Sequence, residues 1–239
     1  MKNRRGSHVS VIISFVVFVT FLIFLFIIFE PSLNFNTGKK TSLEGTEANF
    51  INYLLSDLNT ITVQLNQAPT SSCVRIMDLA ALGDTGLAGT NVFVKSSGGS
   101  SLNFDWNEAS MDLMAESLNN NRFFKIYASG GIISSENSFS ICQDFLPGDY
   151  TVTVKKDRYV SEQKILSAFA LYKTDYEQLK LNLGISSEEF GFDFVYGNGT
   201  IVSTETNNQI LDIYTKRAPV DYFDKKLNFD TGSIITKIW

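Results

Sequence analysis

The stretch VSVIISFVVFVTFLIFLFIIF, Val9–Phe29, governs the reading of the whole chain. It carries no charge, and its only polar members, Ser10, Ser14 and Thr20, have hydroxyls that can bond back to their own helix. At ~1.5 Å per residue such a run makes roughly 30 Å of helix, which matches the bilayer hydrocarbon and satisfies each backbone group internally. Apolar residues fall on every side, which excludes an amphipathic surface helix. The run therefore predicts a transmembrane helix at 9–29.

Residues 1–8 before it are basic, with Lys2, Arg4 and Arg5, and Glu30 follows it. The positive-inside bias then places 1–8 in the cytoplasm and the remainder outside, making a single-pass protein of the cell membrane with the lipid bilayer as partner. Lys39 and Lys40 weaken that contrast without reversing it. A cleaved secretory signal has the same order of charge and apolar run, but its apolar core is about 7 to 15 residues and ends in a small-residue cleavage site. Here the run is longer and is followed by Glu30, Pro31 and Ser32. Pro31 marks where the helix should stop or bend, and the polar residues up to Lys40 read as a linker, assigned to 30–41.

Arg4-Arg5-Gly6, followed by Ser7-His8 and the apolar run, resembles the class III signal of type IV pilin-like proteins. The resemblance implies cleavage by a membrane peptidase between Gly6 and Ser7, leaving the apolar helix as an assembly stem through which the subunit packs with copies of itself or with other anchored subunits. Bacterial pilins carry glutamate at the fifth position after the cut, where this chain has Val11; the archaeal pilin-like proteins are more permissive. The likeness covers about thirty residues, and an ordinary signal anchor fits the same residues. Further on, Asp175-Tyr176-Glu177-Gln178-Leu179, Leu183-Gly184-Ile185 and Phe190-Gly191-Phe192-Asp193-Phe194 resemble single-pass archaeal surface proteins, which implies a pilin-like protein and no catalytic residues.

Beyond the linker, the period of apolar residues assigns the elements. Ile51, Leu54, Leu55, Leu58 and Ile61 recur at helical spacing and predict a helix over 46–58, with Ser42 or Thr46 as its cap. Ile61, Val63 and Leu65 then alternate as a strand. Further strands are expected at 72–79, 91–95, 101–106, 123–127 and 139–143, with a short helix at 111–118. Asp149 to Lys155 alternates as a strand, Lys156-Asp157-Arg158 offers a turn, and 159–171 is read as a returning strand. Thr174-Asp175-Tyr176-Glu177 reads as a capping box for a helix ended by Gly184. Phe190, Phe192, Phe194 and Tyr196 alternate as a strand that turns at Asn198-Gly199, a type I′ signal, into 200–203. Strands at 210–217 and 233–239 flank a turn at Asp230-Thr231-Gly232. The expected fold class is α+β: an N-terminal transmembrane helix, then a mainly antiparallel β ectodomain with two or three packed helices. Its halves, 42–147 and 148–239, form either one domain or two lobes meeting near Leu146-Pro147-Gly148.

Charge and chemistry narrow the function by exclusion. Three of the 20 basic residues precede the apolar run, leaving 17 against 25 acidic ones beyond it, a surface that repels a phosphate backbone; no nucleic-acid partner is expected. The two cysteines, Cys73 and Cys142, both fall in the exported part, where an oxidising compartment favours a disulfide over two separate buried thiols. His8 is the only histidine and sits at the membrane entrance, so no Ser-His-Asp or Cys-His arrangement and no histidine-bearing zinc site is expected. Ser-Lys pairs and two-carboxylate sites need no histidine; Asp105 with Glu108, and Glu188 with Glu189, are the carboxylate candidates, read first as solvated loop charges. Gly98-Gly99 and Gly130-Gly131 lack the ending of a phosphate loop, and no acidic run has calcium-loop spacing. No cofactor, metal or catalytic residue is assigned. Asn198-Gly199-Thr200 is a glycosylation sequon as well as a turn. The Phe190–Tyr196 stripe is read as core before sugar platform. These residues predict a non-enzymatic, membrane-anchored, extracytoplasmic structural or interaction protein, a pilin-like or pseudopilin-like subunit. The alternative is a solitary anchored ectodomain that binds a ligand, envelope polymer or partner, with an anchored hydrolase third.

Overall fold

The computed structural model describes residues 7–81, 85–107, 109–114, 122–132, 139, 141–185, 188–204 and 213–239, with side chains described for 11–27 and from 40 onward in the first of these ranges. One long helix, α1 (Ser7–Leu54), leads directly into β1 (Leu55–Leu65). There follow β2 (Cys73–Met77), a short 3-10 turn at Leu79–Ala81, β3 (Val92–Ser96), β4 (Phe104–Asn107), β5 (Ser110–Met114), β6 (Phe123–Ala128) and β7 (Gln143–Phe145). The remainder is β8 (Tyr150–Ser161), α2 (Glu162–Thr174), α3 (Tyr176–Leu183), β9 (Phe190–Val195), β10 (Ile201–Ser203), β11 (Tyr214–Phe223) and β12 (Phe229–Ile238).

The strands form an eight-stranded sheet, β10-β9-β12-β11-β8-β1-β6-β3, and a four-stranded sheet, β4-β5-β2-β7. Neighbours are antiparallel except β8 with β11 and β2 with β7. The pairing of β1 with β8 runs from Leu55↔Val160 to Leu65↔Tyr150, so the large sheet is built from both halves of the sequence.

Pairing register puts two separate cores on the same face of the large sheet. At one end Ile61, Val63 and Leu65 of β1, Val152 and Val154 of β8, and Phe124 and Ile126 of β6 lie under Val74, Ile76, Phe104, Met111, Leu113 and Phe145 of the small sheet. At the other end Val160, Tyr222, Ile234, Ile238, Phe190, Phe192 and Phe194 lie under Leu43, Phe50 and Leu54 of α1, Ile165, Ala168 and Phe169 of α2, and Leu179 and Leu183 of α3. A smaller cluster of Leu58, Phe93, Ile132, Phe223 and Leu227 sits on the opposite face.

This architecture corrects the expected α+β class with its N-terminal transmembrane helix. The fold is mostly β, and among the described residues no helix is long and apolar enough to cross a membrane. The apolar run is only the first part of α1, which continues through the expected linker at 30–41 to Leu54.

Several local expectations also change, each because pairing or packing overrides a short-range signal. The helix placed at 46–58 ends at Leu54, since Leu55 onward pairs with β8. Met111, Asp112 and Leu113 belong to β5 and pair with β2, where a short helix was expected; 115–118 lie outside the described residues. Lys156-Asp157-Arg158 is strand, not turn, and Glu162 opens a helix in place of the expected strand at 159–171, burying Ile165, Ala168 and Phe169. Asp175, not Thr174, caps α3: its Oδ1 accepts from Gln178 N–H at 3.1 Å, and Gly184 ends the helix in the left-handed conformation at φ 68°. Asp230-Thr231-Gly232 lies within β12; the chain turns instead at 224–228, where Asp224 Oδ1 accepts from the N–H groups of Lys226 and Asn228, both at 2.8 Å. Among the described residues of the strand expected at 139–143 only Gln143 pairs; 140, and 210–212 of the strand expected at 210–217, lie outside the described residues.

Candidate functional site

The first part of α1 is the most unusual surface of the molecule. Thirteen large apolar residues between Val11 and Ile27 are exposed, whereas further along the same helix Leu43, Phe50 and Leu54 are buried against the sheet. Fully burying an aliphatic or aromatic side chain contributes ~1.5–3 kcal/mol, so the bare segment withholds on the order of 20 kcal/mol or more of burial. A surface of that size marks an interaction site. The docked part is fixed by packing and charge. Phe50 meets Phe192 at 4.2 Å between ring centroids, and Lys216 of β11 donates to the buried Glu47 at 2.6 Å.

The second feature is a polar seam between the two cores. On the face of β8 that carries the two cores the residues run Tyr150, Val152 and Val154, then the exposed Lys156 and Arg158, then Val160; on the same face of β1 they run Leu65, Val63 and Ile61, then Asn59 and the exposed Asp57, then Leu55. Two cross-strand rows of polar residues thus interrupt an apolar face, and a cleft of about 430 Å³ there is lined by Asp57, Asn59, Lys156, Asp157 and Arg158 of β1 and β8. The Arg158–Asp57 pair, at 3.4 Å, is largely exposed and contributes little to stability. A second polar groove, about 400 Å³, lies where Ser42, Gly45, Thr46 and Asn49 of α1 face Gly184, Ile185 and Glu188.

Of the carboxylates raised as hydrolase candidates, Glu188 and Glu189 are bound to structural partners. Asp105 lies on β4 opposite Asp112, in the row where Arg75 grips Asp112 through two bonds of 2.7 Å; Glu108 is outside the described residues. Glu188 accepts from Ser42. Glu189 pairs with Lys180 at 3.0 Å, and the hydrogen bonds from Lys180 and Tyr176 hold its carboxyl below the usual value. Ser203 and Lys237 meet through a carboxylate: the Ser203 hydroxyl donates to Asp193, which also accepts from Lys237 at 2.7 and 2.8 Å. The intervening carboxylate makes this a structural ion pair. Near the helical core, burial together with Glu162 pushes the Tyr196 hydroxyl up to about 12.

Cys73 and Cys142 form a disulfide. The parallel register Val74↔Gln143 sets the preceding residues side by side, with Cα atoms 4.5 Å apart. The aromatic stripe belongs to the core: Phe190, Phe192 and Phe194 are buried, and Phe192 also meets Phe169 at 4.4 Å. Asn198 is exposed at the tip of the β9–β10 hairpin. The tip is a three-residue loop rather than a type I′ turn: Gly199 N–H donates to Tyr196 O, Tyr196 N–H donates to Thr200 O, and only Gly199 has positive φ, 84°. Of the cleavage pair, Ser7 opens α1 and Gly6 lies outside the described residues. Among the described residues no cluster of His, Cys, Asp and Glu is arranged to hold a metal ion. The long helix and the polar seam went unrecognised in the sequence; the seam's signal was the break in alternation at Lys156 and Arg158.

Compared with protein-family models, curated proteins and solved structures, the chain matches none of them.

Proposed function

We propose that this protein is a pilin-like, extracytoplasmic surface subunit that assembles through the N-terminal part of α1. The observation that carries this reading is the division of one 48-residue helix into a bare apolar stem and a docked second part. The docked part of α1 joins the apolar part to the β head, and the apolar part carries exposed large apolar residues from Val11 to Ile27. The stems of other copies cover that surface after assembly. The Arg4-Arg5-Gly6 motif supplies the processing step, and the disulfide suits an oxidising compartment.

The test is the N-terminal sequence of the mature chain recovered from cells. A chain beginning at Ser7, with processing blocked in Gly6→Val, supports the reading; a chain beginning at Met1 contradicts it. The polar cleft at Asp57, Asn59, Lys156 and Arg158 favours a second reading, a head that holds a small polar ligand. An unprocessed chain that remains monomeric in membranes favours that reading over assembly.

A further inference from the structure

We infer that Asn198 is a site of N-linked glycosylation, accepting an oligosaccharide from a polyprenyl-phosphate-linked donor. The inference rests on the extracytoplasmic reading for the compartment, and on the hairpin for the site. Asn198-Gly199-Thr200 is the only Asn-x-Ser/Thr triplet in the 239 residues. It falls at the exposed tip of the β9–β10 hairpin, at one edge of the large sheet. The local geometry engages the side-chain oxygen and not the acceptor nitrogen: Asn198 Oδ1 accepts from Thr200 N–H at 2.9 Å in an exposed setting. The same bond holds the Asn side chain over Thr200, whose hydroxyl completes the triplet.

In the transfer, Asn198 Nδ2 forms a bond to the anomeric carbon of the donor sugar as the bond from that carbon to the lipid phosphate oxygen breaks. The lipid phosphate leaves with the electron pair, and the amide gives up one proton to a base. The glycan then stands beside β10, a three-residue edge strand bearing the 60% exposed Ile201. Covering an edge strand blocks its pairing with another chain.

The test is peptide mass mapping of the full chain recovered from cells that glycosylate exported proteins, with Cys73–Cys142 oxidation measured on the same sample. The expected result is a glycan mass increment on the peptide carrying Asn198, lost in Asn198→Gln and Thr200→Ala and kept in Thr200→Ser. An unmodified Asn198 overturns the site. If the cysteines are oxidised, the glycosylation inference alone fails; if they are reduced, the extracytoplasmic reading fails with it.

Discussion

Glu47 of α1 and Lys216 of β11 form an ion pair at 2.6 Å, with the Glu47 side chain only 9% exposed and Lys216 reaching it from a more open position. The pair joins the helix that carries the stem to the sheet that forms the head. Removing one partner leaves the other's charge without its counterion, which is the costly case; removing both is tolerated far better. Lys216→Met is expected to lower the thermal unfolding midpoint of the detergent-solubilised chain, and Glu47→Gln combined with Lys216→Met to recover most of the loss. The hydrogen bond from Lys216 to Glu47 raises the lysine's pKa above 10.5 in the folded state. Its contribution is therefore complete below 10.5 and fades as pH rises through the raised value. An alkaline titration of the unfolding midpoint should show that loss in the parent chain and not in the double variant.

Reducing the Cys73–Cys142 bond should destabilise the head by about 4 kcal/mol, the chain-entropy value for a loop of this size. Denaturant unfolding with and without reductant measures it. Cys73→Ser combined with Cys142→Ser should match the reduced parent.

Phe50 is fully buried and touches Phe192 and Phe190, so Phe50→Ala opens a cavity directly between helix and sheet. The expected loss is ~3–5 kcal/mol. Hydrogen exchange should show it as earlier opening of α1 at 43–54, while the small sheet, in a separate core, keeps its protection.

Thr236 lies wholly buried in β12, and among the described residues its hydroxyl has no hydrogen-bond partner. Thr236→Val keeps the shape and removes the orphaned group, for which the desolvation cost is ~1–3 kcal/mol. Stability should rise by about 1 kcal/mol in denaturant unfolding.

Features governed by local chemistry could be read in the sequence. The β9–β10 hairpin, the helix ended by Gly184 and the inward Phe190, Phe192 and Phe194 all follow from alternation and turn residues. The disulfide was expected on reading the two cysteines as exported, although its geometry depends on a parallel pairing across 69 residues that no local signal encodes. Nonlocal contacts account for the misreadings. Polar residues around Pro31 imitate a linker, yet α1 continues because Leu43, Glu47, Phe50 and Leu54 are held by the sheet and the other helices. Asp112 looks foreign to a strand until Arg75 is found opposite it. Lys156-Asp157-Arg158 imitates a turn because its strand crosses the seam between two cores, where inward positions have nothing apolar to meet.

The stem's contacts in the cell test the central claim most directly. A photoreactive benzophenone side chain installed at position 18, in place of an exposed Phe, reports whatever lies beside it after illumination of intact cells. The account predicts adducts joining two or more copies of this chain, extending past the dimer. Adducts to lipid alone, with the chain otherwise monomeric, would contradict it.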